Sequence, residues 1–350
     1  MAAMSDDALP EADAEPGLPH PRHVHSLLGH EHAEAAAASA IRSGRMHHAW
    51  MITGPKGVGK ATLAWRMARR LLGVKPDPSA PLAHAPGDPV NQRMEALSHP
   101  DLLLVRRPYD EQRKRLKGEI TIEEARRIPA FFSRRAAEGG WRVAVIDSAD
   151  EMNRNAANGL LKSLEEPPER GILILVVTSP GRLPTTVRSR CRRLHLRAGP
   201  EAHCADWLEE RHSVPGEEAA LLARLAKGAP GRALAFHVSG LAGMQRDLTA
   251  AFSPSGRIDQ SGAERLISKA TGTDSHQARA VLFDMMAGES ARRARDAASK
   301  GDSAQAGQWA DASRRITSLA REAETLYLDP RQSLLAAFSL LEDAARQSAA

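Results

Sequence analysis

Cysteine is nearly absent from this chain: of 350 residues only Cys191 and Cys204 carry thiols. Two cysteines cannot build a disulfide framework, so the fold must stand on its core, and the cytoplasm is the expected compartment. Aromatic residues are also scarce, at 4%. The core must therefore come from Ala, Leu and the β-branched residues, and the dominance of Ala and Leu favours helix. No stretch approaches ~20 consecutive apolar residues, so no membrane span is expected. The first residues lack a basic start and an apolar run, so they do not read as a signal peptide. Nor does one charge sign dominate. Lys and Arg number 48 against 43 Asp and Glu, a net charge of +5, which permits contact with nucleic acid without establishing it.

What is present is a phosphate-loop pattern with one member missing. Gly54-Pro55-Lys56-Gly57-Val58-Gly59-Lys60 follows G-x-x-x-x-G-K-[ST], but Ala61 stands where the hydroxyl belongs. In that motif the backbone N–H groups and the lysine hold phosphates, and the Ser or Thr oxygen holds Mg²⁺. Thr62 is next in line, yet one residue along a helix is a rotation of ~100°, so its hydroxyl points elsewhere. A second gap follows. Val143-Ala-Val-Ile-Asp147 reads as a buried parallel strand ending in an acid suited to hydrated Mg²⁺. In ATPases of the AAA+ type the next residue is usually a water-polarising Glu, and here it is Ser148. Asp150 and Glu151 lie past the strand end and are poor replacements.

Along the chain, residues 1–19 are acidic and Pro-containing and read as a disordered tail. Leu27–Arg45 looks helical. His47–Thr53 is a strand entering the loop, and Lys60–Leu72 is a helix with Leu63, Met67 and Leu71 on one face. Residues 73–100 read as a loop or insertion and 101–105 as a strand. Arg106–Lys117 holds six basic and two acidic residues and reads as a solvated hairpin or loop, with DNA contact a minority option. A helix capped by Asn153 or Asn155 runs to Glu166, and 171–178 is another buried strand. Strands alternating with helices from 47 to 197 predict a parallel α/β sheet. After Pro200 only helices follow, about 201–211, 216–227, 231–250, 259–271, 274–299, 302–327 and 331–347, with a boundary near Pro254–Gly256.

Asn153-Arg-Asn-Ala-Ala-Asn-Gly-Leu-Leu-Lys-Ser-Leu-Glu-Glu-Pro-Pro168, together with Ser189-Arg190-Cys191, His48-Ala49 and Gly228-Ala-Pro-Gly-Arg-Ala-Leu234, resembles the bacterial DNA polymerase III clamp loader subunits. The missing Ser/Thr and Glu point to the delta prime type. The resemblance implies a RecA-like AAA+ module over 20–198, a small helical lid over 199–240 and a helical collar over 241–350. It implies a non-catalytic subunit that works with ATPase and clamp-opening subunits to place a sliding clamp on primed DNA, and so belongs to a DNA-directed DNA polymerase assembly. Carried over residue by residue, it makes Arg190 the arginine given in trans to a neighbour's ATP site. Thr178 and Arg232 take sensor-like places. Asp147 and the loop from Gly54 to Thr62 form a degenerate nucleotide site, which either binds ATP or ADP weakly or survives as a fold element. No cofactor is required. Many family members hold zinc with four cysteines after the loop helix; residues 73–100 contain none, and no zinc is expected. Two rival readings stay open: an active gamma/tau-like clamp-loader ATPase, and a free-standing AAA+ DNA-binding or helicase-loading protein.

Overall fold

The computed structural model describes residues 10–85, 87–251, 259–271, 276–326 and 328–347. They pack as two compact units, Met1–Arg211 with Lys227–Ala235, and His212–Ala226 with Phe236–Ala350. The first is α/β and the second is helical.

In the first unit α1 (Glu31–Arg42) precedes β1 (Ala49–Thr53), the phosphate-type loop and α2 (Lys60–Leu71). Then come α3 (Pro89–Glu95), β2 (Leu102–Val105), a hairpin of β3 (Tyr109–Asp110) and β4 (Arg115–Leu116), α4 (Ile122–Phe132) and β5 (Arg142–Ile146). After α5 (Arg154–Gly159), α6 (Leu161–Glu165) and β6 (Gly171–Val177), the unit closes with α7 (Thr185–Arg188), β7 (Arg192–His195) and α8 (Glu201–His212). The five long strands form one sheet in the order β2-β5-β6-β1-β7, and every pairing is parallel.

The strand sequences explain the layers. Side chains alternate across a strand, and a central parallel strand is covered on both faces, so it reads as an unbroken apolar run. On β6, Ile172, Ile174 and Val176 join a core with Trp50, Ile52, Val143 and Val145 under α1 and α2. Leu173, Leu175 and Val177 join a second core with Met51, Ala144 and Ile146 under α4, α5 and α6.

Several local expectations change. The helix after the loop is buried almost all round rather than on one face, with Trp65, Arg66 and Arg69 all enclosed. Residues 20–30 and α3 cover its outer side, and its two arginines are tied down there. Arg66 pairs with Glu34 and donates to the carbonyl of His25, and Arg69 donates to Asn91 Oδ1 at 2.6 Å and to the carbonyl of Arg22. The expected loop at 73–100 contains α3, capped by Asp88, whose carboxylate accepts from the Val90 N–H at 2.8 Å. Asn153 is the cap of the following segment, accepting from Ala156 N–H at 2.9 Å, but that segment breaks into α5 and α6 at Leu160. The predicted solvated element at 106–117 is the β3–β4 hairpin, antiparallel through Tyr109 and Leu116.

The second unit contains α9 (Gly216–Leu225), α11 (Leu241–Ala251), α12 (Gln260–Thr271), α13 (His276–Ser299), α14 (Ser303–Thr325) and α15 (Pro330–Gln347), with α10 (Pro230–Val238) spanning the division. The single helix expected over 231–250 is two, α10 and α11, because Gly240 turns the chain with φ +69°. Helices α13 and α14 fold back on each other through Gly301 (φ +79°), and Asp302 caps α14 by accepting from Gln305 N–H at 2.9 Å. Ser313 on α14 donates to the carbonyl of Ala287 on α13 at 2.9 Å. Leu282, Met286, Trp309, Ile316, Leu334 and Leu341 supply buried apolar side chains. The boundary expected near Pro254–Gly256 lies outside the described residues. Among the described residues no helix is long and apolar enough to cross a membrane.

Ile174 is fully buried at the middle of the central strand. Ile174→Ala should lower the unfolding free energy of the α/β unit by about 2–5 kcal/mol, through lost transfer energy plus a cavity the sheet cannot close. Urea unfolding followed by circular dichroism measures this, and a loss under about 1 kcal/mol would show that the site collapses around the smaller side chain.

Candidate functional site

Strands β5, β6 and β1 are neighbours in the sheet, so their C-terminal ends bring three predicted positions to one edge. These are the loop after β1, Asp147 after β5 and Thr178 after β6. Gly59 (φ +104°) leads into α2, whose first turn holds Lys60, Ala61 and Thr62. Lys60 is 6% exposed, and its ammonium donates to the carbonyl of Pro55 in its own loop at 2.8 Å. The methyl of Ala61 packs against the core cluster beneath α1 and α2. Thr62 is buried.

The loop is gripped from both sides. His30, before α1, is buried and donates from Nε2 to the carbonyl of Val58 at 2.8 Å. On the other side the first turn of α10 abuts Gly57: the Gly231 N–H donates to the Gly57 carbonyl at 2.8 Å. Gly57 has φ +75°, and a Cβ there would lie 2.2 Å from the Arg232 nitrogen, so no other residue fits without displacing that turn. The sensor-like Arg232 thus reaches the loop through its backbone.

Burial shapes the charges. Asp147 is enclosed, and desolvation with the nearby charge of Asp13 pushes its carboxyl up to about 7, against the pull of Lys60 and the Ser148 N–H. Desolvation likewise pushes Lys60 down to about 8, against Asp147 and Asp150. Ser148, at the position of the water-polarising acid, has φ +58°. This is an uncommon conformation for a residue with a Cβ. Its short hydroxyl is 3.5 Å from Asp147 Oδ1.

The two acids past the strand are committed elsewhere. Asp150 caps the end of β6, its two oxygens accepting from Thr178 N–H at 3.1 Å and Ser179 N–H at 2.8 Å. Glu151 pairs with Arg107 at 2.6 Å. Thr178 is held by its backbone, and its side chain is exposed.

Arg190 sits somewhere else entirely. In Ser189-Arg190-Cys191 the flanking side chains turn back onto α7, Ser189 Oγ donating to the Thr186 carbonyl at 3.2 Å and Cys191 Sγ to the Val187 carbonyl at 3.3 Å. Burial pushes the Cys191 thiol up to about 11. Arg190 faces out, 37% exposed, donating to the Thr186 carbonyl at 2.9 Å and pairing with Glu165 at 2.8 Å. The register Trp50↔Arg192 places this motif beside the N-terminal end of β1, whereas the loop leaves the C-terminal end. At about 3.3 Å per residue, the four steps from Trp50 to Gly54 separate them by about 13 Å along the sheet.

Two features escaped the sequence reading. Glu165 lies inside the Leu164-Glu-Glu-Pro run, but only the packing of α6 beside α7 reveals it as the partner of Arg190. The acidic stretch before Pro21 was expected to be disordered. Residues 1–9 lie outside the described residues, while residues 10–19 are ordered by ion pairs, among them Glu15 to Lys56 at 2.6 Å. The only hint in sequence was opposite charge, which does not specify a partner.

The family described as "DNA polymerase III, delta subunit" matches residues 29–199. The delta' subunit of DNA polymerase III from Escherichia coli K12 is 32% identical over 197 residues, covering 56% of this chain and 56% of that protein. The delta' subunit from Pseudomonas aeruginosa is 32% identical over 195 residues, covering 55% and 57%. The tau/gamma subunit from Haemophilus influenzae is 30% identical over 214 residues, 60% of this chain and 29% of that protein. The chain therefore spans little more than half the length of the delta' relatives it matches.

Asp147 gives a pH test. Its folded carboxyl keeps its proton up to about 7, and the unfolded one releases it near 3.8. Between those values the folded state binds more protons, so ionising Asp147 weighs against the fold as pH rises. Asp147→Asn escapes this cost. Its melting temperature relative to wild type should climb from about pH 4 to about pH 7 and then level off. Thermal melts of both proteins across that range measure the trend, and a flat difference would mean that Asp147 ionises as freely folded as unfolded.

Proposed function

We propose, from the match of residues 29–199 to the DNA polymerase III delta-subunit family and the similarity to two delta' subunits, that this protein is a clamp-loader AAA+ subunit, non-catalytic and of the delta prime type. In this reading it joins ATPase and clamp-opening subunits that place a sliding clamp on primed DNA. It supplies Arg190 to the ATP site of a neighbour. The observation that carries the proposal is the placement of Arg190. It projects from the end of the sheet opposite the chain's own loop, so any phosphate it serves belongs to another molecule.

The chain's own site supports the same reading. Ala61 removes the hydroxyl that anchors Mg²⁺, and Ser148 replaces the acid that would polarise water. Both neighbouring acids are held in structural bonds. A guanidinium in trans meets charge that develops on the γ-phosphoryl group, and its planar fork suits two oxygens at once. Ser189 and Cys191 fix the backbone on either side of it, so the side chain is presented from a rigid turn. The helices over 241–350 are read as the assembly collar.

The match to tau/gamma subunits keeps one rival in view, an ATPase working from this chain's own loop. The purified chain should not turn over ATP. Hydrolysis at the rate of a working motor, abolished by Lys60→Ala, would favour the rival.

Arg190→Ala should leave the chain folded and able to assemble while slowing hydrolysis by its neighbour. An arginine of this kind is worth roughly 10³–10⁵ at a single site, and a complex with its other arginines intact should lose less in bulk. Arg190→Lys should fail as well, because lysine lacks the fork. Clamp-stimulated ATPase of complexes rebuilt with each variant is the measurement. Wild-type rates with Arg190→Ala would reduce Arg190 to a surface ion pair.

A further inference from the structure

The acidic stretch before Pro21 lies against the loop and the strand ends around it. Among the described residues its three carboxylates, Glu11, Asp13 and Glu15, each find a cation. Glu15 pairs with Lys56 of the loop at 2.6 Å. Asp13, with its side chain 1% exposed, pairs with Arg106 at the C-terminal end of β2 and with His20 Nε2 at 2.9 Å. His20 Nδ1 accepts from the Arg22 N–H at 3.0 Å, and Nε2 is the ring nitrogen nearest Asp13. Glu11 takes Arg22 on both oxygens at 2.8 Å and Arg106 at 2.8 Å.

This is a folded contact rather than a solvated tail. His20 is buried and stands edge-on to Trp65 of α2, with ring centroids 6.1 Å apart. The chain then continues over the loop through Leu27, beside Gly59, and His30, on the Val58 carbonyl. Arg106 and His20 hold the Asp13 carboxyl below its ordinary range despite burial, so it is ionised where it sits. Its charge is close enough to Asp147 to help raise that group.

We infer that residues 11–15 are a tethered anion that occupies the polyphosphate side of this degenerate nucleotide site and holds it shut against nucleotide. Glu11, Asp13 and Glu15 already neutralise Lys56 and Arg106 at this rim, and three carboxylates there repel a di- or triphosphate. The ligand of the loop is then the chain's own segment, present at the high effective concentration of a short tether. Release of the segment exposes Lys56 and the loop to a phosphate anion. The inference concerns the isolated chain and does not depend on the clamp-loader reading.

The test uses two full-length variants with opposite charge changes. Glu11→Gln/Asp13→Asn/Glu15→Gln makes the rim more positive, and Arg106→Gln makes it more negative. Both free the segment. Binding of a fluorescent ADP analogue is measured for each at fixed salt, with hydrogen exchange of residues 10–19 as the readout of docking. The expected result is slow exchange in wild type, fast exchange in both variants, and ADP binding at least tenfold tighter than wild type in both. Arg106→Gln carries the discrimination, because simple rim charge would weaken ADP binding by that variant. Unchanged or weaker binding by Arg106→Gln once its segment exchanges freely overturns the inference. So does fast exchange of residues 10–19 in wild type, or ADP binding by the triple variant no tighter than wild type. If Arg106→Gln does not fold, Arg22→Gln, which removes a cation from Glu11 outside the rim, takes its place with the same expected and overturning results.

Discussion

The hydrogen-bonded register between β1 and β7, with Trp50 opposite Arg192 and Thr53 opposite His195, separates two chemistries by the length of a strand. Every strand in the sheet runs the same way, so all the loops that could touch a phosphate leave from one edge. The turn before β7 must lie at the other edge. No side-chain rotamer of Arg190 spans that distance. The register therefore decides that this domain meets its own loop at one end and offers an arginine outward at the other. β1 is buried on both faces between β6 and β7, whereas β7 is an exposed edge strand whose place is set by its pairing to β1.

The same sheet explains why the loop is set in a charged and crowded frame. α2 must lie on β1 and β6 to close the core, and its remaining face is covered by residues 20–30 and α3. Covering a helix on all sides traps whatever polar residues it carries. Arg66 and Arg69 are enclosed, and each bonds to a carboxylate, an amide or a backbone carbonyl from the covering segment, although Arg69 Nη1 is buried without a hydrogen-bond partner. Buried ion pairs add little net stability, but losing one partner leaves a charge without compensation. These bonds therefore specify where the segment lies more than they strengthen the fold. Because that segment is fastened to α2, the chain ahead of it is delivered to the loop and to Arg106.

Much of this was legible in the sequence where the signal was local. Buried strands announced themselves as apolar β-branched runs at 143–146 and 171–177, and the loop declared itself by its glycines. The sequence misled where long-range packing overrode local pattern. Leu63, Met67 and Leu71 give α2 one apolar stripe, and nothing nearby says that Arg66 and Arg69 are also enclosed. The 231–250 stretch is periodic throughout, yet Gly240 breaks it. Acidic residues at 11–15 are indistinguishable by composition from a solvated tail; their partners lie at Lys56 and Arg106, far along the chain. Asp150 looked like an acid near a strand end and proved to be the cap of the next strand.

The contrast between the loop and the arginine turn bears on what each motif means. A Cβ at Gly57 would meet the Arg232 nitrogen at 2.2 Å, and one at Gly54 would meet the Leu196 carbonyl oxygen at 2.4 Å. Packing alone therefore requires these glycines, and a phosphate-loop pattern can outlast the chemistry it was built for. Ser189 and Cys191 are similarly accounted for by their bonds to α7. Arg190 is not. Its ion pair with Glu165 is exposed on both sides, and such pairs contribute about 0–1 kcal/mol. This pair and the bond to the Thr186 carbonyl are both made at the surface, outside the core. A largely exposed guanidinium on a turn whose flanking side chains bond to α7 is consistent with the proposed role in trans.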